Sequence, residues 1–115
     1  MSTLNRLTFT IDYNSQKTYT ASLEIGGKRS CGLGSSSLEA VEKAVLNIFP
    51  RFKKAKIEYK VVRQKTECLL FNNATANVII TLAGKTARGS SIEEDIIMAF
   101  ANTLISAIDN YIAQE

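Results

Sequence analysis

Gly32-Leu33-Gly34-Ser35-Ser36-Ser37-Leu38-Glu39-Ala40-Val41 is a glycine- and serine-rich loop that runs into a helix. Glycine reaches backbone conformations closed to other residues and lets a ligand approach the chain. Ser36 and Glu39 have capping-box spacing: the serine oxygen accepts from an early helix N–H and the glutamate reaches back. First-turn N–H groups carry partial positive charge and can receive a carboxylate or a phosphate. The same chemistry recurs at Gly89-Ser90-Ser91-Ile92-Glu93-Glu94-Asp95-Ile96-Ile97, so 115 residues hold two such junctions.

Strands lead into the first junction. Leu7 to Tyr13 alternates apolar and polar residues, the pattern of a strand with one buried face. Asn14-Ser15-Gln16 supplies a turn. Tyr19, Ala21, Leu23 and Ile25 then mark the buried side of a second strand. Gly26-Gly27 is a two-residue hairpin signal, and a short return strand, Lys28 to Gly32, delivers the chain to the loop. The helix is expected over Ser37 to Phe49, with Leu38, Val41, Val45 and Ile48 on one side and Pro50 ending it.

The pattern then starts again. Lys56 to Arg63 alternates, and Glu67 to Asn73 reads as a connection closed by an Asn-Asn turn. Ala76, Val78, Ile80 and Leu82 line another strand, Ala83-Gly84-Lys85 turns it, and a second helix is expected over about Ile92 to Ala113. Ala21-x-Leu-x-Ile matches Ala76-x-Val-x-Ile, Gly27-Lys28 matches Gly84-Lys85, and Gly32 matches Gly89, at a spacing of about 55–57 residues. The expected fold is therefore α+β: two repeated β-β-β-α units, each an antiparallel sheet covered by one helix, in a dimer-forming chain. Ile96 to Ala101 is apolar around most of its circumference, so the second helix is buried on more than one side, at a subunit interface or as a central helix.

Composition narrows the chemistry. The chain carries 45% apolar and 22% charged residues with a net charge of +3, a single-domain profile whose mild basicity alone does not point to nucleic acid. There is no histidine, which removes histidine-dependent triads, imidazole metal sites and an imidazole base. Cys31 and Cys68 lack zinc or redox spacing and read as free thiols of a reducing cytoplasm. The uncharged run Ile96 to Ile108 is 13 residues, short of the ~20 that cross a bilayer.

Residues 32–41 lack the lysine of a nucleotide loop and the third glycine of a dinucleotide loop. Glu93-Glu94-Asp95 could hold a metal, but acids at a helix start more often complement its dipole. The basic run Arg51, Lys53, Lys54, Lys56, Lys60, Arg63 and Lys65, with Phe52 and Tyr59 among it, could track a phosphate backbone; a solvated strand face is the simpler account. No nucleophile has a visible base, and no catalytic, metal or cofactor site is expected.

The two junctions, taken together, resemble the C-terminal regulatory (LeuA-type allosteric and dimerisation) domain of 2-isopropylmalate and citramalate synthases. That family opens its first helix with Gly-x-Gly-Asn-Gly-Pro-Val-Asp-Ala; residues 32–40 have the same length, share both leading glycines and the alanine, and place Glu39 for the aspartate. Ser36 and Ser37 stand for the family's Gly-Pro pair. Its second signature, Gly-x-Ser-x-Asp-Ile-Ile-Glu-Ala-Ser, is similar to Gly89-Ser90-Ser91 followed by Asp95-Ile96-Ile97-Met98-Ala99 with two extra residues. Met98 and Phe100 depart from its Glu and Ser.

The resemblance implies a single regulatory domain over 1–115, with repeats at about 4–50 and 55–113, that forms a homodimer in the cytoplasm. It implies feedback inhibition by a branched-chain amino acid, leucine or isoleucine, acting on an acyl-CoA-dependent acyltransferase whose catalytic β/α-barrel is the partner. The chain itself would not catalyse the condensation. Candidate effector-binding residues are Gly34, Ser36, Leu38, Val41, Val45, Val62, Gly89, Ser91 and Asp95. Helix N–H groups would take the carboxylate; Leu38, Val41 and Val45, with Val61 or Val62, an apolar side chain; and Asp95, Glu94 or backbone carbonyls the ammonium. The alternative is a stand-alone dimeric interaction module, for nucleic acid or for protein, that uses the basic 51–65 region. Neither reading involves a membrane.

Overall fold

The computed structural model describes residues 7–65 and 72–115. The element order is β1 (Leu7–Tyr13), β2 (Tyr19–Ile25), β3 (Lys28–Gly34), α1 (Ser37–Ile48), a 3-10 turn Pro50–Lys54, β4 (Lys56–Lys65), β5 (Asn72–Leu82), β6 (Lys85–Glu93) and α2 (Ile96–Ala113). It forms two antiparallel three-stranded sheets, ordered β1-β2-β3 and β4-β5-β6. The chain divides into compact units at Lys54 and Ala55. Each unit is a meander whose helix packs back on its own sheet, the α+β repeat expected from the pattern.

In the first unit Ala21, Leu23 and Ile25 of β2 are buried together with Ala40, Val41, Ala44, Val45 and Leu46 of α1. Burying a side chain of Val or Leu size contributes roughly 1.5–3 kcal/mol, so this stripe supplies the unit's main cohesion. Phe52, in the 3-10 turn after Pro50, is also buried. The hairpin between β2 and β3 turns through Gly26 and Gly27, at φ of 57° and 81°. Two successive positive φ values match the twist of the flanking strands, and glycine adopts them without steric cost.

The second unit repeats this plan with larger elements. Ala74, Ala76, Val78 and Ile80 of β5 are buried, facing an i,i+4 ladder of α2, Ala99, Thr103, Ala107 and Tyr111, that is also buried. Thr103 is satisfied through Ser91 and the Ala76 carbonyl, and the Tyr111 hydroxyl donates to the Leu82 carbonyl at 2.7 Å. Tyr59 of β4 packs on Phe100 with ring centroids 4.7 Å apart. The hairpin between β5 and β6 turns at Ala83 and Gly84, with φ of 52° and 77°. α2 is 18 residues long with mean hydropathy 1.4, long and apolar enough to cross a membrane by those measures alone. Half of it is buried inside the protein, and the ladder above marks it as a core helix.

Several expected boundaries move. β3 runs on to Gly34, because its ladder with β2 extends to the pair Tyr19–Gly34. α1 ends at Ile48, with Phe49 as its C-cap. Asn72 and Asn73 do not turn the chain; they pair with Lys65 and Gln64 inside β5. α2 begins at Ile96, and Ile92 and Glu93 belong to β6, paired with Thr75 and Ala74. The three acids 93–95 consequently precede the helix and do not occupy its first turn. The repeat match also shifts: Ala21 lies opposite Gly32 and Val78 opposite Gly89, so Ala21 corresponds to Val78, and Ala76 corresponds to Tyr19. Residues 67–71 of the expected connection, with Cys68, lie outside the described residues.

Candidate functional site

Each junction starts from a strand backbone lying directly on a helix backbone. A Cβ added to Gly32 would fall within 3.0 Å of the Ala40 carbonyl oxygen and the Ala44 nitrogen. One added to Gly89 would meet the Thr103 carbonyl and the Ala107 nitrogen as closely, and one on Gly34 would meet Ala40 and Glu39. The small residues Ala40, Ala44 and Ala107 allow this approach from the helix side. Where the first unit has Gly34, the second has Ser91, whose hydroxyl donates to the Ala99 carbonyl at 2.9 Å and shares a hydrogen bond with Thr103.

At the first junction Ser36 is the N-cap, its hydroxyl accepting from the Glu39 N–H at 3.1 Å. The Glu39 carboxylate reaches back to Ser35, accepting from its hydroxyl at 2.7 Å, and holds Lys43 at 3.1 Å on its other side. The Ser35 hydrogen bond, followed by Lys43, lowers the Glu39 pKa from the ordinary carboxylate value. One turn further on, half-buried Glu42 is pushed the other way, by desolvation first and the Glu39 charge second. The first-turn N–H groups of Ser37 and Leu38 are those that a helix leaves without an intrahelical acceptor. Leu38 is half-buried beside them, while Val41 and Val45 are fully buried behind it.

The second junction is differently built. Asp95 is the N-cap, and its Oδ1 accepts from Ile97 N–H at 2.7 Å and from Met98 N–H at 3.1 Å. A carboxylate in this position satisfies two orphan donors and complements the helix dipole. The helix has also gained a turn. Ser36 stands four residues before Ala40, which meets Gly32, whereas Asp95 stands eight before Thr103, which meets Gly89. Four residues of helix measure about 6 Å, so the second cap lies that much further along its helix from the glycine contact.

The structure brings Gly34, Ser36 and Leu38 together at the start of α1, and Gly89 and Ser91 together under α2, with the Asp95 cap further along that helix. Val62 stands apart from these. Register places Val61 opposite Ala76, on the helix-facing side, where it packs with Ala74, Ala76 and Ala99. Val62 faces the other side of the sheet and is 41% exposed. Its row continues through Thr75 to Ile92, which is 67% exposed. The same alternation divides the basic run: Lys56 and Lys60 lie on the open face of β4 with Glu58 between them, and Lys56 holds Glu58 at 3.0 Å.

Sequence reasoning missed a groove of about 720 Å³ beside α1, lined by residues including Leu33, Glu42, Lys43, Leu46 and Lys53. Leu33, 57% exposed, falls in the loop by sequence; its pairing with Thr20 carries it into β3 at the sheet edge. Cys31 is a free, exposed thiol on the same strand.

Two β-β-β-α units, each with a glycine-bearing last strand pressed on a capped helix, define a repeat α+β domain without a catalytic constellation among the described residues. The family model for the LeuA allosteric (dimerisation) domain matches residues 2–112, and the chain belongs to that family. An allosteric and dimerising role follows, that of a regulator which does not itself catalyse. No curated protein sequence matches the chain.

Proposed function

We propose that residues 1–115 act as one regulatory domain that binds a branched-chain amino acid, leucine or isoleucine, as the feedback signal to a cytoplasmic acyltransferase of the 2-isopropylmalate or citramalate synthase type. The observation that carries this reading is the family match over nearly the whole chain, both junctions included. In the first unit the effector carboxylate is received at the α1 N-terminus by Gly34 and Ser36. Its side chain lies on Leu38, with Val41 and Val45 forming the wall behind. In the second unit, taken by itself, Gly89 and Ser91 set the strand against α2 and Asp95 offers its carboxylate to an effector ammonium; Val62, on the opposite face of that sheet, takes no part. The acting form is a homodimer, and the catalytic β/α-barrel is the partner that responds, because an effector shifts an equilibrium only by binding one arrangement more tightly.

Isothermal titration of the full chain with leucine, isoleucine and valine tests this, alongside its sedimentation behaviour. Saturable heat with leucine or isoleucine on a dimer is expected. A folded dimer that gives no heat with any of the three overturns the effector reading and leaves the dimerising role standing.

A further inference from the structure

The last strand of each sheet is an open edge. Such a row of free N–H and C=O groups pairs readily with a strand of another molecule unless something covers it. Here the covering helix supplies the cover. Asn47 of α1 donates its side-chain amide to the Cys31 carbonyl on β3 at 2.7 Å, and Asn110 of α2 donates to the Arg88 carbonyl on β6 at 2.7 Å. Cys31 and Arg88 each immediately precede the glycine pressed on the helix. The two contacts are therefore the same device built once per unit.

In the second unit the device is extended. Gln114, one turn beyond Asn110, donates to the Thr86 carbonyl at 3.3 Å. Ser106, one turn before it, shares a hollow with Arg88, Ser90 and Asn110. Asn102, a further turn back, donates to the Glu93 carboxylate at 3.0 Å. An i,i+4 row of polar side chains thus runs along the outer edge of β6. Thr86 and Arg88 lie opposite Thr81 and Ile79. In an antiparallel ladder residues alternate between pairs that exchange hydrogen bonds with the neighbour and pairs whose groups face away. A carbonyl taken by the helix is one that faces away, and these are the groups an added strand would need.

We infer that Asn47 and Asn110 are edge guards: they occupy the outward carbonyls of β3 and β6 and deny both edges to a strand from a second copy of the chain. Association of this dimerising domain is thereby kept off two surfaces on which antiparallel pairing would otherwise propagate.

Asn110→Asp replaces the donor with a group that repels the carbonyl, and Asn47→Asp does the same in the first unit. Both side chains are exposed, so the cores stay intact. The full chain and each variant are followed by sedimentation over a wide concentration range and by amide hydrogen exchange. The wild type is expected to keep one mass throughout. In N110D it is expected at least to double at the highest concentrations, with the Arg88 amide gaining protection as it does. A folded N110D that keeps the wild-type mass at every concentration overturns the inference. Should N110D lose its helical signal, N47D decides by the same readout at Cys31.

Discussion

Single residues carry the closest contacts in this chain, and their substitution is the sharpest test of it. A methyl group on Gly89 meets helix backbone, which cannot swing aside as a side chain can. Gly89→Ala is expected to cost about 1–3 kcal/mol, the range for overpacking, measured as a fall in the urea midpoint. Ala83 is the opposite case. It holds φ of 52° in the turn between β5 and β6, where the first unit has Gly26. A left-handed conformation costs an L-residue roughly 1–2 kcal/mol, so Ala83→Gly should gain about 0.5 kcal/mol after glycine's entropic cost, seen as a raised midpoint. The two glutamates of α1 pull stability in opposite directions with pH. Glu39, with its pKa lowered in the fold, contributes stability above the ordinary carboxylate value that is lost as pH falls through its folded value. Glu42, with its pKa raised, is better tolerated protonated, so stability falls as pH rises through its folded value. Glu42→Gln should therefore raise the urea midpoint at neutral pH, and the gain should vanish below the carboxylate range.

At the scale of elements, the helix caps differ in chemistry and so in what their removal does. Asp95→Ala should cost about 1 kcal/mol, the usual worth of a cap, and release the amides of Ile97 and Met98 to faster exchange. The hairpins and α1 were legible because local signals agree there: strict alternation, Gly26-Gly27, and Ser36 with Glu39. The start of α2 was not. The run Gly89 to Ile97 repeats the serine-to-helix chemistry of the first junction and so puts the start at about Ile92, whereas β5 pairs with Ile92 and Glu93 as strand. In β4 the alternation through Ile57 and Tyr59 puts Val61 on the helix side, opposite Ala76, and leaves the candidate Val62 on the other face. Asn47 and Asn110 were unreadable for another reason. An exposed helical asparagine looks solvated in sequence, and its partner is a carbonyl on a different element. The candidate site was legible only as two helix starts, since every helix offers such N–H groups and their employment is a tertiary matter.

For the whole molecule, the two units share a scaffold while their helix starts diverge. The glycine-bearing strands keep one spacing: Gly32 and Gly89 sit at matching register positions, and Asn47 and Asn110 hold matching carbonyls. The extra turn of α2 breaks that equivalence at its start. In one unit the cap is a neutral hydroxyl one turn from the strand contact; in the other it is an anionic carboxylate two turns away. At the second start the carboxylate is the cap itself, whereas at the first it is Glu39, reaching back to Ser35 beside a neutral serine cap, so the ends cannot count as two copies of one receptor. On the effector reading proposed above, the isotherm should show one molecule per chain or two separated steps, and two equivalent sites per chain would overturn it.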